Sequence, residues 1–265
     1  MQLLEGAGVI EPRLNAEVLL AHALHCERSY FFAHPEQELR EVEWIHYGRY
    51  LNDRMKGKPT QYITGHQEFY GRDFRVTPDV LIPRPETEHL VEAVLQVLPQ
   101  PAKIVDVGAG SGAIAVSLAL EAPRHKVFAV DISPGALKVA AGNAQTLRAP
   151  VTFITSDLLT SIADNSLDAV VSNPPYVCDT EAPTMQREVR DWEPHLALFA
   201  GTHGLDIYRR LIPEAARVLK SGGLLALEFG FGQAEALVAL VAGWREVEIK
   251  PDLAGIPRVL LCRKV

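Results

Sequence analysis

The chain has 265 residues, 48% hydrophobic and 22% charged, which supports one large soluble domain with a smaller one beside it. Its net charge of −7 argues against a general nucleic-acid binder, whose footprint is basic. Cys26, Cys178 and Cys262 are odd in number and too far apart for a metal pair, so they read as free thiols in a reducing, cytoplasmic setting. The histidines show no ligand spacing, and no metal is expected. No apolar run reaches the ~18 residues of a membrane span, and no signal-peptide pattern opens the chain.

Residues 1–58 read as helical throughout. Leu14, Val18 and Leu24 follow Pro12 along roughly one face. Trp44, Tyr47, Leu51 and Met55 form a stripe at spacings of three and four, which predicts a mini-bundle with an aromatic core. Residues 59–80 read as a linker, starting at Lys56-Gly57-Lys58-Pro59, and a hairpin around Tyr70-Gly71-Arg72. Pro85 can open a helix whose first turn carries Glu86 and Glu88, where negative charge suits the dipole.

From there strands and helices alternate. Strands are predicted at Lys103–Val107, Lys126–Asp131, Val151–Thr155, Leu167–Ser172, Gly223–Phe229, Val247–Pro251 and Arg258–Arg263. Helices fall between them at Ala113–Leu120, Pro134–Gln145, Gly204–Val218 and Gln233–Val241. Such alternation predicts an α/β fold, a mostly parallel sheet covered on both faces. The last two strands lack a helix between them and predict one antiparallel member.

Two stretches carry chemistry. The first is Gly108-Ala109-Gly110-Ser111-Gly112, between a buried strand and a helix, where glycines allow a tight turn and close approach to a ligand. Asp131 ends the next strand about 20 residues on, the usual place for a carboxylate that binds ribose hydroxyls. The glycines read GxGxG, whereas dinucleotide folds have GxGxxG and seat a pyrophosphate. Asp157 could accept from the adenine amine while Leu158 covers the ring, although Asp157 could equally be a simple helix cap. Asp106, beside the loop, could meet a cationic group. An adenosine ligand with a cation and no phosphate fits this set, and S-adenosylmethionine is such a ligand.

The second stretch is Ser172-Asn173-Pro174-Pro175-Tyr176, at the end of the apolar run Leu167–Val171. The prolines stop the strand and push Asn173 into an extended backbone. Asn173 and the carbonyl of Pro174 offer two acceptors for an NH₂ group, and Tyr176 could stack on its planar system. Holding both protons would favour a localised lone pair on an otherwise poor nucleophile. The motif by itself does not distinguish glutamine from adenine.

These residues resemble the HemK/PrmC family of peptide chain release factor N5-glutamine methyltransferases. The likeness rests on Pro83-Arg84-Pro85-Glu86-Thr87-Glu88, Asp106–Ala115, Ser172–Tyr176, Glu193–Leu198 and Gly204–Tyr208. It implies a seven-stranded class I, Rossmann-like methyltransferase domain over 81–265 behind a helical substrate-docking domain over 1–58. It further implies methyl transfer from S-adenosylmethionine to the glutamine of the Gly-Gly-Gln motif in class 1 release factors, with S-adenosylhomocysteine as product. By position, Gly108 to Gly112, Asp131, Leu158 and Asn173 would touch the cofactor, and Asn173, Pro174, Pro175 and Tyr176 would hold the glutamine, with Asn173, Pro174 and Tyr176 in the catalytic roles. The chain would act as a monomer without direct nucleic-acid or membrane contact. An opening helix common in the family reads as shortened or absent. Trp192 and Glu193 either line the substrate entrance or belong to the core. Rival readings are a ribosomal-protein glutamine methyltransferase, an adenine-N6 methyltransferase of DNA or RNA, and a non-catalytic cofactor-binding protein.

Overall fold

The computed structural model describes residues 1–98 and 101–265. Two compact units emerge, one of Met1–His66 with Met185–Trp192, the other of Gln67–Thr184 with Glu193–Val265. The boundary falls inside the stretch expected to be linker. Thr60–Thr64 is a helical turn of the first unit, whereas the hairpin belongs to the second.

The first unit is helical, with segments at Gln2–Gly6, Pro12–Leu24, Tyr30–Ala33, Glu41–Met55 and Thr60–Thr64. The opening helix is thus present but only five residues long. Here one expectation fails: Trp44 is 57% exposed, and the buried residues of its helix are Glu43 and Arg54. Glu43, Tyr47, Tyr50 and Arg54 recur at spacings of four, three and four, so they define the inner face and leave Trp44 to one side. The polar group decides this. Arg54 donates to Asn15 Oδ1 at 2.9 Å and pairs with Glu188, and a guanidinium can be buried only where such partners exist.

In the second unit, strands β1 (His66–Phe69) and β2 (Arg72–Arg75) form the hairpin. Tyr70 and Gly71 both have positive φ, the pairing that a two-residue turn matching strand twist requires. Seven further strands make one sheet: β3 (Lys103–Val107), β4 (Lys126–Asp131), β5 (Val151–Thr155), β6 (Leu167–Ser172), β7 (Leu219–Glu228), β8 (Arg245–Pro251) and β9 (Pro257–Arg263). Their order is β5-β4-β3-β6-β7-β9-β8, and β9 runs antiparallel to both β7 and β8. Strand β7 starts earlier than its apolar run because a register irregularity accommodates Lys220–Gly223 between Leu219 and Leu224.

Successive side chains of a strand point to opposite faces, and the core divides accordingly. Ile104, Ala169, Val171, Leu224 and Ala226 pack on one face with the helices Glu88–Val97 and Ala113–Glu121. Val105, Val170, Leu225 and Leu227 pack on the other with the helix Asp206–Val218. Both faces are covered, which is why the strands read as continuous apolar runs.

Candidate active site

From β3 the chain winds outward through β4 and β5, then crosses back to place β6 on the other side of β3. Connections therefore diverge between β3 and β6, and an open α/β sheet leaves its ligand crevice at such a point, beyond the carboxyl ends of the strands. Val107 lies opposite both Val130 and Ser172, so the residues that follow, Gly108 and Asn173, open the two walls. Buried Ser172 donates its hydroxyl to the Val107 carbonyl at 2.6 Å, a tie worth ~1 kcal/mol that fixes the spacing of the walls.

The first wall is backbone. Gly108, Gly110 and Gly112 all lie at positive φ. At Gly112 a side chain is excluded twice over, because a Cβ would also sit 3.1 Å from that of Ala140. Asp131 braces the loop, accepting from Gly110 N at 2.9 Å through one oxygen and from Ser133 N at 2.8 Å through the other. Asn143 braces it from behind, donating to the carbonyls of Ser111 and Arg75 and accepting from Arg75 N. Asp106 faces away from solvent entirely. One of its oxygens accepts from Ala115 N at 3.2 Å while Oδ1 has no partner, and burial pushes its pKa up to about 8.

The second wall is made of side chains. Asn173 donates through Nδ2 to Thr87 Oγ1 at 3.0 Å. Beside it stands Glu228, 2% exposed at the end of β7: Leu227 is the register partner of Ser172, so the Glu228 carboxyl follows next to Asn173 and acts on the Asn173 and Thr87 side chains. Its Oε2 has no partner. Burial pushes Glu228 up to about 7, against the downward pull of Thr87, Arg258 and Asn173. Tyr176 anchors the loop that follows: Gln233 Nε2 donates to its carbonyl at 2.9 Å, and a Cβ on Gly204 would come within 2.3 Å of that oxygen. Burial pushes the Tyr176 phenol up to about 12.

Between the walls lies a cavity of about 210 Å3. Of the residues expected at a ligand, Gly108, Gly110, Asp131, Asp157, Leu158, Asn173 and Pro175 line it. Ala109 and Ser111 are turned into the interior, Gly112 packs on Ala140, and buried Pro174 and the anchored Tyr176 are outside the lining. Asp106 is likewise buried rather than presented to a ligand. Asp157 is no mere cap, since its Oδ2 takes Arg210 Nη2 at 2.7 Å beside the cavity. Glu193 is buried, accepting from Ile82 N at 3.1 Å and pairing with Arg84, so it braces the segment ahead of Pro85 rather than an entrance.

Several lining residues escaped the sequence reading. Ile132, 49% exposed, and Leu196, 64% exposed, offer apolar surface to the cavity. Leu158 holds a φ of 49°, a left-handed backbone that costs a leucine ~1–2 kcal/mol and aims its side chain into the site. Thr87 and Glu228 gave no local signal, reading as a helix-start threonine and as the acidic end of the apolar run Leu224–Leu227.

Residues 1–65 match the PrmC N-terminal domain, and residues 86–196 match the methyltransferase small domain. A release factor glutamine methyltransferase of Koribacter versatilis is 51% identical over 98% of this chain and 94% of its own. Another of the same name, from Moorella thermoacetica, is 47% identical over 97% of this chain and 93% of its own. The chain belongs to the release factor glutamine methyltransferase family. Solved structures agree on the fold of this family member. A methyltransferase of Pyrococcus furiosus, 17% identical, superimposes with a TM-score of 0.56 over 74% of this chain and 90% of that one. The 16S rRNA N2 G1207 methyltransferase of T. thermophilus, solved with AdoMet and guanosine, gives 0.56 at 18% identity over 76% of this chain and 50% of that one.

Proposed function

We propose that the protein transfers a methyl group from S-adenosylmethionine to the side-chain amide nitrogen of the glutamine in the Gly-Gly-Gln motif of class 1 peptide chain release factors. The observation that carries the reading is Asn173, held at the crevice edge across from the glycine loop with its amide nitrogen already engaged by Thr87. Its oxygen is left to accept one N–H of an incoming amide, and the carbonyl of Pro174 would accept the other. An amide lone pair is delocalised into its carbonyl, so two acceptors on the NH₂ group orient the nitrogen and favour localisation as attack proceeds. No strong base is needed, because the nitrogen becomes acidic once alkylated.

The cavity fits the cofactor. Asp131 has acceptor capacity beyond its two backbone contacts and would take the ribose hydroxyls. Ile132, Leu158 and Leu196 would sandwich the adenine, and Asp157 would take its amine through Oδ1, since Oδ2 is paired with Arg210. Gly108 has open space where a Cβ would stand, so its backbone can be approached closely. When bound, the cofactor supplies a methyl group on a sulfonium, whose loss to the nitrogen leaves neutral S-adenosylhomocysteine.

The helical unit would help to grip the partner, with Val42, Trp44 and Ile45 exposed on one of its helices. The proposed setting is cytoplasmic and the proposed state monomeric, in keeping with three free cysteines and no helix among the described residues long and apolar enough to cross a membrane. Incubation with labelled cofactor and a release factor, total ribosomal protein or nucleic acid tests the reading. Label is expected in the release factor and is expected to vanish when the Gly-Gly-Gln glutamine is replaced by alanine; label confined to ribosomal protein or nucleic acid overturns the assignment.

A further inference from the structure

We infer that Glu228 and Thr87 are positioning residues that set which end of the Asn173 amide faces the substrate, holding its nitrogen inward so that only its oxygen is presented. What the presented oxygen does rests on the proposed methyl transfer; the orientation stands on the contacts alone.

A side-chain amide has a donor end and an acceptor end of nearly equal size, and rotation by half a turn exchanges them. For an incoming NH₂ group the two orientations are opposites: the oxygen accepts its proton, whereas the nitrogen meets it donor to donor. Something must choose between them. Thr87 alone does not, because a hydroxyl both donates and accepts. Glu228 does, because an ionised carboxylate can only accept. Placed beside Asn173 by the register of β6 and β7, its negative charge therefore favours Nδ2 toward it on the Asn173 side and the hydroxyl proton toward it on the Thr87 side. With its proton turned toward the carboxylate, Thr87 is left to accept from Nδ2, which is the 3.0 Å contact observed. Nδ2 is then held inward and the oxygen faces the crevice.

The backbone that carries the carboxylate is itself fixed. Tyr208 donates its hydroxyl to the Glu228 carbonyl at 2.8 Å, and the backbone of Phe229 donates to the Arg258 carbonyl at 2.9 Å. The charged and titratable groups facing the carboxyl are Arg258, Glu86, Tyr176 and Tyr208. Burial without a full complement of donors is costly for a carboxylate, and a core function would be served as well by leucine or glutamine. The unpartnered Oε2 is what remains when the group is retained for orientation rather than for stability. Protonation near neutral pH gives the carboxyl a donor of its own, which can accept the opposite amide orientation and so releases the choice.

The test compares the full-length protein with Glu228→Gln, Thr87→Val and Thr87→Ser. Glutamine keeps size and polarity but can donate, so it no longer selects. Glu228→Gln is expected to lower kcat on the release factor roughly tenfold to a hundredfold, with KM and cofactor Kd within about threefold. Thr87→Val is expected to behave alike and Thr87→Ser to recover most of the rate. The wild-type kcat is expected to fall on the acid side between pH 8 and 6, and that limb is expected to be missing in Glu228→Gln. Side-chain amide NMR gives a readout independent of substrate: the Asn173 NH₂ pair should shift over the same pH range in wild type and not in Glu228→Gln. Wild-type kcat and pH profile in Glu228→Gln overturn the inference, as does an Asn173 NH₂ pair unaffected by pH and by the substitution. Failure of the wild type to methylate any release factor, with the NMR behaviour intact, removes the proposed substrate and leaves the orientation standing.

Discussion

The glycine-loop wall of the crevice is shaped by backbone conformation and by close packing behind it, with three glycines at positive φ and one of them pressed on Ala140. The Asn173 wall is shaped by polar side chains that reach it from far away in the chain, Thr87 and Glu228. A wall of the first kind should be vulnerable in stability and in the volume it leaves for a ligand. A wall of the second kind should be vulnerable in rate, since what it controls is the direction of single atoms.

The largest effect is expected at Asn173. Asn173→Ala removes the presented oxygen while leaving the proline-stopped strand and the Ser172 tie in place. By the size of effect seen when one oriented polar group is lost from a reacting centre, kcat should fall about 10²–10³-fold. Cofactor affinity, measured by calorimetry, should stay within about threefold. Equal loss of both would mean that the asparagine serves the cofactor, and the contrast between the walls would collapse.

The glycine wall should respond the other way. Gly112→Ala combines a positive φ with a Cβ contact at 3.1 Å and should cost about 1–3 kcal/mol, several degrees in Tm for a domain of this size. Gly108→Ala has the same φ problem but nothing within 4 Å, so it should cost less in Tm and show itself in cofactor affinity instead. If the two variants lose the same Tm, packing on Ala140 is not what shapes the loop.

The contrast also explains what could be read from the sequence. Strands β3, β4 and β6 were legible because they are largely buried and rich in β-branched residues, and such runs have few other uses; edge strand β5, none of whose residues is buried, was legible from its β-branched and aromatic residues. The glycine loop was legible because its first constraint is local: each of the three glycines holds a positive φ in its own backbone, and only the packing of Gly112 on Ala140 comes from farther along the chain. Asn173 announced itself through the prolines after it. Thr87 and Glu228 were not legible as parts of the site, because nothing local distinguishes them from a helix-start threonine and a strand-end glutamate. The same physics misplaced Trp44. Helical spacing offered two faces, and the choice between them was made by Arg54 finding Asn15 and Glu188.

The smallest effect on turnover is expected at Asp106, the buried carboxyl of the glycine wall, whose influence is on stability. Its pKa is about 8 in the fold against an ordinary carboxylate value when unfolded, so the folded state holds the proton more tightly. Stability from this group is therefore fully present in acid and is lost as pH rises toward and through 8, by up to ~1.4 kcal/mol per pH unit in between. Asp106→Asn cannot ionise, keeps an oxygen for Ala115 N, and places an amine where the unpartnered oxygen stood. Near pH 3 its Tm should lie close to wild type, because Asp106 is then protonated in both the folded and the unfolded chain. By pH 8 the variant should be the more stable of the two, and the gap should open from about pH 4 to 8 and level off above that in cofactor-free protein. Parallel Tm curves would mean that Asp106 is charged and compensated in the fold, and that the glycine wall, like the Asn173 wall, depends on a placed ion.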